Sequence, residues 1–232
     1  MIYIITQRDP FFIDQFIRTF DEYNLPYTVF DMPNFKQGKR AGIRRALQLY
    51  GWTGFAKLVV KLLAQIPRRK LSNVVEVRKI EQMHELDGFF GNLNADDVVL
   101  SLSAPSRIPV EQMPSETLKL NFHCGALPEY AGMMPIFWQV NDEKKEITIT
   151  LHHMAEQIDE GFLISETRIP VFGTFFELSQ KAKEVSAHIF AETIKNRNDI
   201  KTVNKRQHKV KQLRKFPTRQ DVAKIKRVIK VI

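Results

Sequence analysis

The chain has a single cysteine, Cys124, among 232 residues. No intramolecular disulfide can form and no cysteine cluster can hold a metal, which points to a reducing, cytoplasmic setting. Nor is there an uncharged apolar run of about 18 residues, the length that a spanning helix needs. The opening Met1-Ile-Tyr-Ile-Ile-Thr has no positive flank before its apolar residues, so it reads as a first strand and not as a signal peptide. Internal repeats and low-complexity segments are missing as well. Acidic residues are missing locally: residues 33–75 hold ten Lys/Arg and no Asp/Glu, and residues 201–232 hold twelve Lys/Arg against Asp221 alone. The remainder has 13 basic and 25 acidic residues, so these two segments carry the whole excess behind the net charge of +9. Such blocks suit phosphates, nucleic acid or an anionic membrane surface. The other reading is a solvated helix face and a solubilising tail.

What is present alternates between strand and helix signals, which predicts an α/β layer fold. Residues 2–6 form a short apolar run. Phe12, Ile13, Phe16, Ile17 and Phe20 then recur at helical spacing within residues 11–23. Residues 27–30 restore a strand signal. Residues 40–49 and 52–66 read as helices, with Gly51 as the break. Residues 97–102 predict a strand buried on both faces, residues 118–123, 147–152 and 163–169 further strands, and residues 176–196 a long amphipathic helix. Polarity rises over residues 196–204, which marks a linker. Division into a catalytic domain over 1–200 and a short basic appendage over 201–232 follows. Within the appendage, Thr218 is placed to cap a helix, with Asp221 three residues on.

In Leu118-Lys-Leu-Asn-Phe-His123 the side chains alternate, so Asn121 and His123 share one face and stand at the carboxyl end of a strand. In open α/β sheets that end borders the ligand crevice. Leu127-Pro-Glu-Tyr-Ala-Gly-Met-Met-Pro135 follows, a turn-rich loop too long for a hairpin and able to wrap the mouth of a site. Later comes His152-His-Met-Ala-Glu-Gln-Ile-Asp159-Glu-Gly161. His152 and His153 are adjacent and point to opposite faces of a strand, so they cannot chelate a metal together, and no metal is expected.

Taken in order, these three motifs resemble the formyltransferases that use N10-formyltetrahydrofolate. Those enzymes combine an Asn-x-His strand end, a Leu-Pro-x-Tyr-x-Gly-x-x-Pro loop and a downstream His-x-x-x-x-x-x-Asp-x-Gly. The resemblance runs from about residue 97 to residue 194. One departure is Cys124-Gly125-Ala126, where the family usually has Pro-Ser-Leu. The resemblance implies a Rossmann-like domain with a mostly parallel central sheet, N10-formyltetrahydrofolate as formyl donor, and Asn121, His123 and Asp159 as the catalytic trio. It further implies that residues 155–158 (Ala155, Glu156, Gln157 and Ile158) give backbone contacts to the pterin. Ser101, Leu102 and Ser103 would form a wall of the folate pocket, while His152 and Thr150 would support the trio. Direct transfer to an amine leaves Cys124 as a small packed residue and not a nucleophile.

The acceptor is read from what the chain does not share with the family's branches. Thr6-Gln-Arg-Asp-Pro-Phe-Phe stands where the glycinamide ribonucleotide enzymes have a glycine-rich phosphate loop. The basic tail is expected not to be the C-terminal barrel of methionyl-tRNA formyltransferases, nor the N-terminus to carry the regulatory domain of the hydrolases. The resemblance then leaves an amino sugar on a nucleotide carrier, for whose diphosphate the acid-free segment 33–75 would be suited. Residues 52–66 mix Trp, Phe, Leu and Val with Lys57 and Lys61, a pattern that fits either an anionic membrane surface at the inner face or a helix packed on the sheet. Aromatics in the tail are limited to Phe216, so a nucleic-acid binder is not expected. A homodimer is the expected assembly.

Overall fold

The computed structural model describes residues 1–7, 9–32, 38–64, 71–200 and 209–232. Its elements are β1 (Ile2–Gln7), α1 (Phe12–Asp21), β2 (Tyr27–Met32), α2 (Gly38–Ala64), β3 (Val74–Lys79), α3 (Asp87–Phe90), β4 (Val98–Leu102) and β5 (Leu118–His123). There follow α4 (Pro135–Asn141), β6 (Glu146–His153), β7 (Leu163–Pro170), α5 (Phe175–Lys195), α6 (Arg197–Ile200) and α7 (Arg219–Val228). The seven strands make one sheet in the order β3-β2-β1-β4-β5-β6-β7. β1 to β5 pair in parallel, whereas β6 is antiparallel to both β5 and β7. The fold is therefore α/β with a mostly parallel, Rossmann-like sheet. The chain winds outward from β1 to β3 and then returns to place β4 on the other side of β1. That reversal opens a crevice at the carboxyl ends of β1 and β4, one strand away from Asn121.

The expected helices form because their apolar spacing meets the sheet. Ile13, Phe16, Ile17 and Phe20 of α1 are buried, and Phe16 and Phe20 pack their rings on Phe190 of α5. β4 is buried along all five residues, as its unbroken apolar run predicts. Gly51 does break the helical run 38–64, at φ 70° and ψ 179°. β3 is the strand that sequence pattern does not announce. It lies at the sheet edge with Glu76, Arg78 and Lys79 in solvent, so it has no buried face to write into the sequence. Asn196 caps α5 and α6 follows it at once, while residues 201–204 of the expected linker lie outside the described residues.

The C-terminal segment folds into the body of the protein. Thr218 and Asp221 cap α7 reciprocally, with the Asp221 amide donating to the Thr218 hydroxyl and the Thr218 amide to the Asp221 carboxylate. Val222, Ile225, Ile229 and Val231 are buried in the main core beside β5 and α5 residues. The carbonyls of Lys230 and Val231 accept from the amides of Phe175 and Phe176 at 2.7 and 3.2 Å, satisfying donors at the start of α5. Ile225→Ala is therefore expected to destabilise the whole domain by about 2–5 kcal/mol, not merely to fray the tail. Chemical denaturation should show one transition shifted as a unit. An unchanged midpoint would mean that the tail does not share the core.

Candidate active site

β5 brings Asn121 to the crevice in register with Ser101 of β4 and His152 of β6, so these three side chains share one face of the sheet. His123 is paired with Thr150 at the next position on that face. The loop after β6 carries Asp159 back over them. Asp159 is held at φ 60°, a left-handed conformation that aspartate tolerates better than most side chains. Two residues on, Gly161 lies so close to β6 that an added Cβ would sit 1.5 Å from the His153 carbonyl oxygen. These two constraints give the Asp-x-Gly pattern its physical meaning: a turn tight enough to aim a carboxylate back at the strand it has just left.

The four side chains form one hydrogen-bonded group. The Asn121 amide nitrogen lies 2.8 Å from Nε2 of His152, and Nδ1 of His152 lies 2.8 Å from the His153 carbonyl oxygen. A carbonyl only accepts, so Nδ1 of His152 donates, and in the neutral ring Nε2 accepts from Asn121. His152 thus orients the Asn121 amide. Nε2 of His123 donates to the Tyr130 carbonyl at 2.7 Å, which turns Nδ1 towards Oδ1 of Asp159 at 3.4 Å. Oδ1 of Asp159 is also 3.5 Å from the Asn121 amide nitrogen, while Oδ2 accepts from the Gly132 amide at 2.8 Å. His123, His152 and Asp159 are all buried, at 6%, 1% and 7% exposure, whereas Asn121 is half-exposed. That leaves the Asn121 amide as the member of the group nearest to solvent.

The expected loop of residues 127–135 supplies two of these contacts through its backbone. Gly132 is at φ 102°, and a Cβ there would meet the Arg214 carbonyl oxygen at 2.5 Å. Arg214 runs beside the loop, its amide donating to the Ala131 carbonyl and its carbonyl accepting from the Met133 amide. Its guanidinium lies over the rings of Tyr130 and Trp138 and reaches the Asp142 carboxylate at 3.2 Å. The C-terminal segment therefore braces the loop that holds His123 and Asp159. The roles of the Tyr130 carbonyl and the Gly132 amide are not visible in a side-chain reading, though both lie inside the Leu-Pro-x-Tyr-x-Gly motif.

The remaining expected residues surround this group unequally. Ser101 is buried opposite Asn121, and Ser103 turns left-handed at φ 55° to accept from the Lys183 ammonium of α5 at 2.9 Å. The Leu102 side chain lies in the core and its carbonyl accepts from the Thr6 hydroxyl at 2.7 Å, so it shapes the wall from behind. Ala155 is half-buried, and Glu156, Gln157 and Ile158 are exposed beside buried Asp159, with the Glu156 carbonyl held by Arg107 at 2.7 Å. A cavity of about 200 Å³ opens between Gln157, Ile158 and Glu160 on one side and residues 210–213 on the other. The Thr150 hydroxyl donates to the Gly125 carbonyl at 2.7 Å. Cys124 is buried in the main core, and Gly125 packs so closely that a Cβ there would lie 3.0 Å from Nε2 of His123. Small residues are thus what this turn accommodates. Among the described residues no cluster of three His, Cys, Asp or Glu side chains is arranged to hold a metal.

An α/β crevice with buried His123, His152 and Asp159 behind a half-exposed Asn121 at its carboxyl edge defines a site for chemistry on a polar substrate. The sequence model of the formyl transferase family matches residues 57–194, more than half of the chain, and this protein belongs to that family. Among curated proteins it is similar to the methionyl-tRNA formyltransferase of Lysinibacillus sphaericus, 34% identical over 76 residues, which cover 32% of this chain and 24% of that protein. The shared segment spans about a quarter of the length of such relatives. Among solved structures it resembles a 4-N formyltransferase from Francisella tularensis, with a TM-score of 0.52 and 17% identity over 95% of this chain and 76% of that one. It also resembles the N-formyltransferase of Helicobacter canadensis, in complex with folinic acid and dTDP-3-aminofucose. That match has a TM-score of 0.51 and 17% identity, covering 85% of this chain and 65% of that one.

Proposed function

We propose that this protein transfers the formyl group of N10-formyltetrahydrofolate to the amine of an amino sugar carried on a nucleotide. The observation that carries the transfer chemistry is the approach of Nδ1 of His123 to Oδ1 of Asp159, 3.4 Å apart, beside an Asn121 amide that faces the crevice. The folate supplies the formyl carbon and leaves as tetrahydrofolate. When an amine attacks that carbon, negative charge collects on the formyl oxygen, and the Asn121 N–H is the donor placed to meet it. His152 keeps that amide aimed. The His123–Asp159 pair takes up the proton lost by the attacking amine and returns one to the departing folate nitrogen. The 3.4 Å separation within the pair is long for a hydrogen bond, and such contacts commonly tighten in the Michaelis complex. The donor would lie against the half-buried to exposed loop 155–158 and the wall made by Ser101 and Ser103. Their mix of open backbone, hydroxyls and the apolar Ile158 side chain fits a flat heteroaromatic ring.

Two observations favour a sugar over the other acceptors. At the start of α1, Oδ1 of Asp9 accepts from the amides of Phe11 and Phe12 at 2.8 and 3.0 Å. Burial raises that carboxyl above the usual carboxylate range. The helix N-terminus after β1 is thus already occupied by the protein's own side chain, which disfavours a phosphate there and with it a ribonucleotide of the glycinamide type. The solved structures that share the fold over most of this chain also include a sugar 3N-formyl transferase. The methionyl-tRNA enzymes found among the curated relatives make charged tRNA the competing acceptor.

The test is an assay of the full chain with N10-formyltetrahydrofolate, a panel of nucleotide-linked amino sugars, and methionyl-tRNA, reading tetrahydrofolate release and product mass. A gain of one formyl mass on one sugar is expected. Formylation of the tRNA alone would replace the sugar reading, and failure to bind folate would remove the transfer reading.

A further inference from the structure

The second half of α2 has two apolar faces, and only one of them is covered. Leu58 is buried, Phe55 and Leu62 are half-buried, and Gly54 lies against Tyr50 and Ile232, so this side packs on the body of the protein. On the opposite side Trp52, Ala56, Val59, Val60 and Leu63 are exposed, the four large ones at 78, 42, 64 and 62% for Trp52, Val59, Val60 and Leu63. Their spacing of four, three, one and three residues places them in one stripe along the helix. A surface helix ordinarily turns a polar face to water. A continuous apolar stripe with a tryptophan at one end instead marks a surface meant to meet something.

The charge around the stripe selects the partner. Lys57 and Lys61 flank it on one side, and Lys61 also lies over the Phe176 ring at 5.0 Å. Arg40 and Arg44 are exposed on the preceding half of α2. α7 packs on α2 and presents Arg219, Lys224, Lys226 and Arg227 to solvent, with Lys230 just beyond it. The sequence of α2 has no acidic residue, and α7 has only Asp221, engaged in its capping box. Exposed Glu177 lies near Lys61 and is engaged in capping α5. Phe172 and Val228 extend the apolar surface around an open recess of about 530 Å³ bordered by Gly173, Glu177 and Lys230.

From this we propose that the second half of α2, together with α7, docks on an anionic lipid surface, with Trp52, Val60 and Leu63 entering the headgroup region. An apolar stripe rimmed by cations and lying flat on a folded domain is the geometry of an interfacial helix. Anionic headgroups complement its charge. A second copy of the chain does not: an isologous contact through this stripe would bring the same cationic rims together, on molecules already carrying +9 each. The stripe does not include the Asn121–His123–His152–Asp159 group, so the inference does not depend on the identity of the acceptor.

The experiment is co-sedimentation of the full chain with phosphatidylcholine vesicles, with and without phosphatidylglycerol, at low and high salt. Binding is expected to be stronger by about tenfold or more on the anionic vesicles and to fall as salt screens the cations. Trp52→Glu combined with Leu63→Glu should abolish binding with an unchanged melting temperature, and Lys57→Gln with Lys61→Gln should weaken it through charge alone. Equal binding to both vesicles, or none to either, would overturn the proposal. So would concentration-dependent self-association in sedimentation velocity that the Trp52→Glu/Leu63→Glu pair removes, since a second copy would then cover the stripe.

Discussion

Asp159→Asn is expected to lower turnover by about 10²–10⁴-fold while leaving the fold and the melting temperature close to those of the parent protein. Asparagine keeps the left-handed backbone at this position, which few other side chains tolerate. Its amide oxygen can still accept from the Gly132 N–H, as Oδ2 of Asp159 does at 2.8 Å. The amide nitrogen then faces Nδ1 of His123 and can only donate to it. Nδ1 of His123 is then occupied as an acceptor, and the two groups can no longer receive a proton between them. The predicted signature is a loss in kcat with little change in KM for either substrate, because the pair is asked to move a proton and not to bind. Alanine would be a poorer probe. It would leave the part-buried Gly132 amide without its acceptor, and so confuse stability with chemistry. Asp159→Asn turning over at near the normal rate would end the proton-relay reading of the pair.

Asn121→Ala is expected to lower turnover by about 10²–10³-fold, the usual cost of removing one preorganised donor from a developing oxyanion. The substitution removes the group member nearest to solvent and leaves β5 intact, since the β5 backbone pairing with β4 and β6 does not use the side chain. It also releases Nε2 of His152, which then has room to take a water or a proton. The useful control is His152→Gln. If His152 acts only by aiming the Asn121 amide, this variant should retain much more activity than Asn121→Ala and should share its pH profile. Equal losses in the two, with different pH profiles, would show His152 to be handling a proton itself.

Much of this site was legible in the chain before any fold was drawn. Strict alternation over residues 118–123 put Asn121 and His123 on one face, and the apolar run 97–102 read as a strand buried on both faces, which the structure sets beside β5. Asp159-Glu-Gly161 showed an acid before a glycine after a strand and loop, and the structure gives the reason for the glycine: a Cβ there would collide with β6. What was not legible involved groups without a side-chain signature. The Tyr130 carbonyl and the Gly132 amide set the His123 tautomer and hold Asp159, yet any residue has a carbonyl and almost any has an amide. β3 also went unread: Val75 and Val77 do alternate with Glu76 and Arg78, but at the sheet edge all four side chains are exposed, so the pattern marks no buried face.

The C-terminal segment shows the division most clearly. Its sequence determined a basic charge and a capped helix, because charge is a property of composition and a capping box is a local pattern spanning four residues. It did not determine that Arg214 would lie beside Gly132, or that Ile225 and Val231 would enter the core shared by β5 and α5. Those contacts join residues far apart in the chain, Arg214 and Gly132 by 82 positions, and rest on the shape of surfaces that exist only once the sheet is formed. Likewise the apolar composition of residues 52–63 was fixed by sequence, and it left two readings open, a packed helix or a membrane-facing one. The tertiary structure showed that the helix has both faces: Leu58 turned to the core, Trp52 and Val60 turned to water. Only packing decides that, because periodicity states which side chains lie together and not which of them find a partner.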